Sequence, residues 1–190
     1  MRKPLRLVAL ATVLVAVAAL PTATLAQNAH LKGRNPVLFN DNGLTLTATV
    51  SYAGLGNFDT QQNLTATAQP TADCVNPGSG EHRPPGQNPA VVTVTGSTLV
   101  SANDIKNGNV TISTTTSQPV TPIPGAPGCP NSNWIENITD MKFLTATITV
   151  FQDTDGNGTF DTLELTVNCT FNPPTSNGPV PTSNFTCTAS

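Results

Sequence analysis

The chain reads as an all-β protein, an immunoglobulin-like antiparallel β-sandwich held by two disulfides. Three observations predict it. Apolar and polar residues alternate with a period of two in several short stretches rich in Thr, Val and Leu. Clusters of Gly, Pro, Asn and Asp separate those stretches. Beyond the first 26 residues, no apolar spacing at i, i+3 and i+4 persists long enough for a helix. A small closed barrel is the alternative arrangement for such strands.

Residues 1–26 read as a signal peptide, followed by one domain over 27–190. Arg2, Lys3 and Arg6 give a basic start, "LVALATVLVAVAAL" an apolar stretch, and Thr24 and Ala26 the small residues before a cut. The apolar run is shorter than the roughly 20 residues that span a bilayer. Gln27 then stands where a lipid anchor requires Cys. The expectation is an exported protein, secreted or held in a periplasm or at a cell surface, with no membrane span in the mature chain.

In "LTLTATV" (44–50), Leu44, Leu46, Ala48 and Val50 fall on one face and Thr45, Thr47 and Thr49 on the other. "NLTATA", "VVTVTG", "NVTIST", "FLTATITV" and "LELTV" repeat the pattern, which predicts seven or eight short strands. Turns are expected at "DNG" (41–43), "GLGN" (54–57), 76–89, "KNGN" (106–109) and the Pro-rich 118–133.

Cys74, Cys129, Cys169 and Cys187 are an even set, which in an oxidising compartment reads as two disulfides with three possible connectivities. "VNCTF" and "NFTCT" are strand-like segments on either side of a Pro-rich loop, so Cys169 and Cys187 would face each other across a hairpin. Cys74 and Cys129 both sit in Pro/Gly loops. The residues favour 74–129 with 169–187 over the other two pairings.

Charge excludes one class of partner. The leader holds three of the eight cations and none of the eleven acids, so the mature chain carries five against eleven, or −6. Nucleic acid needs clustered cations and is not an expected partner.

"AGLGN", "ADCVNPG", "PPGQNPAVVTVTGS", "IKNGNVTIST" and "GCPNSNWIENITDMKFLTATITV" occur in this order. Together they resemble a group of small exported bacterial proteins, predicted to be β-sandwiches and without assigned function. The resemblance spans about residues 30 to 151 and rests on turns and cysteine neighbourhoods. It implies a bridge between the two loop cysteines, Cys74 and Cys129, and transfers no catalytic residue. The sequence departs from the group at 153–164, where a shorter turn is expected.

That departure, "DTDGNGTFDTLE", has the ligand spacing of an EF-hand calcium loop. Asp153, Asp155 and Asn157 would give side-chain oxygens, Thr159 its carbonyl, and Asp161 a direct or water-mediated contact. Glu164 would close the site with both oxygens. Its flanks are strands rather than helices, and Glu164 is expected to face away from Leu163 and Leu165, so its reach is the weakest link. The competing reading is a plain hairpin turn with solvated acids.

Catalysis finds little material. His30 and His82 are the histidines, no "GxSxG" is present, and Asp41, Asp59, Asp73, Glu81, Asp104, Glu136 and Asp140 read as isolated, solvated surface charges. Trp134, Tyr52, Phe39 and Phe58 could stack on sugar rings, although core packing is their ordinary use. The paired threonines 45/47, 65/67, 93/95 and 145/147 could form an array for ice or a crystalline polymer, against which sheet twist argues. The sequence thus points to a secreted, non-enzymatic extracellular or surface interaction or structural protein with a structural calcium ion. Its partner would be an extracellular protein or a polysaccharide. A carbohydrate-binding module is the alternative, with a hydrolase or an ice-binding protein behind it.

Overall fold

Alternation of buried and exposed side chains builds eleven antiparallel strands in the computed structural model, which describes residues 28–83, 90–121 and 129–190. The expected signal peptide lies outside these residues. In chain order the strands are β1 (His30–Leu31), β2 (Val37–Asp41), β3 (Leu46–Ala53), β4 (Thr60–Val75), β5 (His82–Arg83) and β6 (Val92–Val100). They continue with β7 (Val110–Thr115), β8 (Ile135–Gln152), β9 (Thr162–Phe171), β10 (Gly178–Pro179) and β11 (Phe185–Ala189). β3 lies at the centre of the first sheet, with β1 and β2 along one edge and β7 along the other; β10 extends it beyond β2. The second sheet runs β11–β9–β8–β4, and β6 and β5 pair with successive parts of β4.

The sandwich predicted from the alternation is what the chain forms. Its core is the set of inward positions from both sheets: Leu46, Ala48, Val50 and Tyr52 on β3, Leu64, Ala66 and Ala68 on β4, and Phe143, Ala146, Ile148 and Val150 on β8, all buried. Phe39, Phe171 and Phe185 close one side edge-to-face, with ring centroids 4.9 to 6.1 Å apart. One polar bridge crosses the core. The Tyr52 hydroxyl donates to Gln62 Oε1 at 2.5 Å, and Gln62 Nε2 donates to Thr114 Oγ1 at 2.8 Å. These buried groups are therefore paired, and burial pushes the Tyr52 hydroxyl pKa far up.

Two strands are much longer than expected: β4 has 16 residues and β8 has 18. Their pairing shifts register between Thr67 and Ala68 and again between Thr71 and Ala72. The unpaired residues, Leu144 and Thr139, lie on β8 and switch the phase of its alternation each time, so β8 reads as fragments, whereas β4 keeps one phase throughout. Pro70 lies where β4 is flanked by β8 but by neither β6 nor β5, a place where the missing N–H removes no ladder bond on the open side.

The sheets nearly touch where β6 passes β7. Ser117 N donates to Thr95 O at 2.7 Å, and the Thr98 hydroxyl donates to Ser113 O at 3.0 Å. Gly96 makes this approach possible: a Cβ there would lie 2.1 Å from the Thr115 carbonyl oxygen.

Both favoured disulfides are present. Cys169 and Cys187 are directly opposite on β9 and β11, with Cα atoms 4.1 Å apart. Cys74–Cys129 ties the end of β4 to Cys129 in the Pro-rich stretch 118–133, Cα to Cα 5.6 Å. Among the described residues no helix is long and apolar enough to cross a membrane.

Candidate functional site: the acidic loop and the threonine face

The loop between β8 and β9 is ordered by its own acids. Asp153 is only 8 % exposed, covered by the loop that it organises. Its Oδ1 accepts from Asn157 N at 3.1 Å and its Oδ2 from Gly158 N at 2.8 Å. Asp155 also accepts from Asn157, through the backbone N–H at 3.2 Å and the side-chain amide at 2.8 Å. Asn157 Oδ1 accepts from Thr159 N at 2.6 Å. Gly156 and Gly158, at φ 71° and 82°, supply the left-handed residues that this tight path needs.

Asp153, Asp155 and Asn157 are thus brought together. Asp161 is bonded instead by the Thr162 hydroxyl at 3.3 Å, and the Thr154 and Thr162 hydroxyls close the loop at 2.9 Å. Among the described residues, no three His, Cys, Asp or Glu side chains gather as a metal-binding group. The fit to calcium is therefore partial. Carboxylate oxygens from loop positions 1 and 3 meet at the Asn157 N–H, whereas Asn157 itself turns its amide nitrogen to Asp155 and its Oδ1 to Thr159 N; a carboxylate that accepts two N–H bonds keeps lone pairs for a cation.

Glu164 departs from the expected geometry. Val150 pairs with Leu165 and Phe151 with Leu163, which leaves Glu164 as the extra residue of a β-bulge. Leu163 is 54 % exposed and Leu165 buried, so the two do not share a face. Burial raises the Glu164 carboxyl above its usual range.

Asp153 has the opposite displacement. Burial alone would raise its pKa, but hydrogen bonds from the backbone N–H groups of Gly158, Asn157 and Gly156 outweigh it and hold the carboxyl below the usual range. Its contribution to stability is present above the unfolded carboxyl pKa and is lost as pH falls through the lowered folded value.

The outer face of the second sheet carries what the threonine triplets foreshadow. Thr93, Thr67, Thr145, Thr170 and Thr186 stand directly opposite one another, one from each of β6, β4, β8, β9 and β11. The next rank is Thr95, Thr65, Thr147, Asn168 and Thr188, and the third runs Ser97, Asn63, Thr149 and Thr166. All are exposed or half-buried, and none is charged. Hydroxyls bond along the ranks, Thr67 to Thr145 at 2.6 Å and Thr147 to Asn168 Oδ1 at 3.0 Å. Leu99, Gln61, Phe151 and Leu163 form a fourth, more apolar rank beside the acidic loop. Thr47 belongs to the other sheet, where it pairs with Thr115.

The remaining expected chemistry is dispersed. Tyr52 and Phe39 are buried in the core, and Arg83 lies over the Trp134 ring, 5.4 Å from its centroid. His82 Nδ1 pairs with Asp73 at 2.6 Å, and among the described residues no serine hydroxyl is bonded to His82. Two acids are not the solvated surface charges expected. Asp41 is 1 % and Glu136 4 % exposed, because the fold folds strands over positions that read as loop and edge. The chain matches no protein-family model, no curated protein and no solved structure.

Proposed function

We propose that this is an exported, non-enzymatic interaction protein that works outside the cell or at its surface, binding a neutral polysaccharide through the threonine face. The carrying observation is three in-register ranks of uncharged hydroxyl and amide side chains, two of them across five strands and the third across four. An uncharged polar face complements an uncharged, hydroxyl-bearing ligand without desolvating ions. Spacings of about 4.8 Å across strands and about 6.8 Å along them give the ranks an area of roughly 300–400 Å². A stable protein pair buries about 800 Å² on each partner. The smaller face suits a polymer, which adds weak contacts by repetition. Sheet twist of roughly 20–25° per strand suits a chain that can follow it better than a flat ice lattice.

Co-sedimentation with insoluble cellulose and starch tests this reading. The wild type is expected to sediment with at least one of them, and a Thr67→Glu, Thr147→Glu variant with unchanged melting temperature to remain in solution. Equal retention of both proteins, or retention of neither on either polymer, would overturn it.

Calcium is the proposed structural ion of the acidic loop, held by Asp153, Asp155 and Asn157, with Thr159, Asp161 and Glu164 as the remaining candidates. At free calcium about 100 times Kd, binding to the folded state alone raises the melting temperature by roughly 5–10 °C. Asp155→Ala is expected to abolish that shift and Glu164→Gln only to reduce it. An identical melting temperature in excess chelator and in millimolar calcium would leave the loop a metal-free turn.

A further inference from the structure

Among the described residues, every sheet edge but one is covered or blunted. β1 has two residues and leads into Lys32, Arg34 and Pro36. β5 has two and carries the pairs His82–Asp73 and Arg83–Glu81, and the open stretch of β4 beside it bears Pro70. β10 has two, one of them Pro179, and together with the bond from Val180 N to Phe39 O it covers β2. β6 and β7 turn their edges to each other. Short length, charge, proline and cover are the ordinary devices that keep an edge from pairing with another chain. β11 has none of them. Its five residues, "FTCTA", include no charge, no Pro and no bulge, and among the described residues it pairs only with β9.

The hydrogen-bond phase of this edge is fixed. Thr166 and Ser190 exchange both backbone bonds, and Asn172 N donates to Asn184 O. Bonded and non-bonded pairs alternate along an antiparallel ladder, so Thr186 and Thr188 turn their N–H and C=O groups toward β9. Phe185, Cys187 and Ala189 turn theirs away, and the bridge from Cys187 to Cys169 holds the strand in place. That pattern is self-complementary. A second β11 laid antiparallel sets Cys187 opposite Cys187 and Phe185 opposite Ala189, and each outward group then meets a mate. Charge allows the approach as well: acids outnumber cations in the chain, yet no residue from Leu165 to Ser190 is charged.

We propose that two copies of this chain pair through β11, antiparallel about a two-fold axis at Cys187, so that their second sheets become one. Because the opposite edge of that sheet is blunted or covered, the contact closes as a dimer instead of growing into a filament. Thr186 of each copy stands opposite Thr188 of the other, which joins the two outward threonine faces across the seam. Five residues give a seam about 17 Å long on a two-layered edge, or roughly 350 Å² on each copy. That is under half of what a standard interface buries, so backbone bonds hold the pair and its Kd is expected to be micromolar or weaker. The dimer requires no sugar, so it stands or falls apart from the polysaccharide reading.

Sedimentation equilibrium and amide exchange on the exported protein, without sugar, test it. A monomer–dimer equilibrium is expected at concentrations up to about 1 mM. The Phe185, Cys187 and Ala189 amides should gain protection as concentration rises, while Thr186 and Thr188 stay protected throughout. Ala189→Pro deletes an N–H that makes no bond to β9 and, by symmetry, removes two bonds from the dimer. It should raise the dimer Kd at least about tenfold with the melting temperature unchanged. Wild-type exchange decides the matter even if that variant does not fold. A monomer at every concentration would overturn the proposal. So would a dimer that leaves the three outward amides unprotected, or assembly that runs on past the dimer.

Discussion

Gly96→Ala is expected to destabilise the protein by on the order of 3 kcal/mol, the upper end of what overpacking a tight contact costs. The added Cβ would meet the Thr115 carbonyl oxygen at 2.1 Å and its carbon at 2.8 Å, and both are backbone. Backbone cannot turn aside as a flexible side chain can. Relief requires β6 to move away from β7, which lengthens the bond from Ser117 N to Thr95 O. Ser97→Ala, one residue on and facing outward, is the control and should change stability by less than about 0.5 kcal/mol. Urea unfolding of the two variants measures the difference. A loss below about 1 kcal/mol for Gly96→Ala would mean that the sheets do not abut at this point.

Removing the bridges should produce unequal losses. Loop-closure entropy assigns about 3 kcal/mol to Cys169–Cys187, with a sequence separation of 18, and about 4 kcal/mol to Cys74–Cys129, with a separation of 55. Packing points the same way. Cys169–Cys187 joins strands already paired along five residues, so its loss releases mainly β11 at the sheet edge. Cys74–Cys129 anchors the far end of β4, where β5 adds only two paired residues. Chemical unfolding of Cys74→Ala, Cys129→Ala against Cys169→Ala, Cys187→Ala tests the order. A larger loss for the second variant would place the weight on the β9–β11 edge instead.

Much of this architecture was legible because alternation is a local property. "FLTATITV" and "NLTATA" reveal their buried faces without reference to any other part of the chain, and "VNCTF" and "NFTCT" nearly announce their pairing. The length of β8 was not legible, because the extra residues Thr139 and Leu144 break its pattern without ending the strand. The bulge at Glu164 is hidden for the same reason: "LELTV" alternates perfectly, yet Val150 and Phe151, consecutive on the partner strand, pair with Leu165 and Leu163 and leave Glu164 unpaired in the ladder. The ranks of threonine were visible only as separate pairs. Their alignment depends on how β4, β6, β8, β9 and β11 register, which turns and core packing decide together. Asp41 and Thr175 lie far apart in sequence and meet only through topology, so Asp41 alone reads as a surface charge.

Amide NMR mapping with soluble cellohexaose and maltohexaose most directly tests the claim that the threonine face is the functional surface. The account predicts that binding of one of them shifts outward positions on β4, β6, β8 and β9, centred on Thr67, Thr147 and Asn168, and leaves the surface around Trp134 and Arg83 unchanged. Shifts confined to Trp134 and Arg83 or to residues 153–164, or no shifts at saturating concentrations of either sugar, would contradict it.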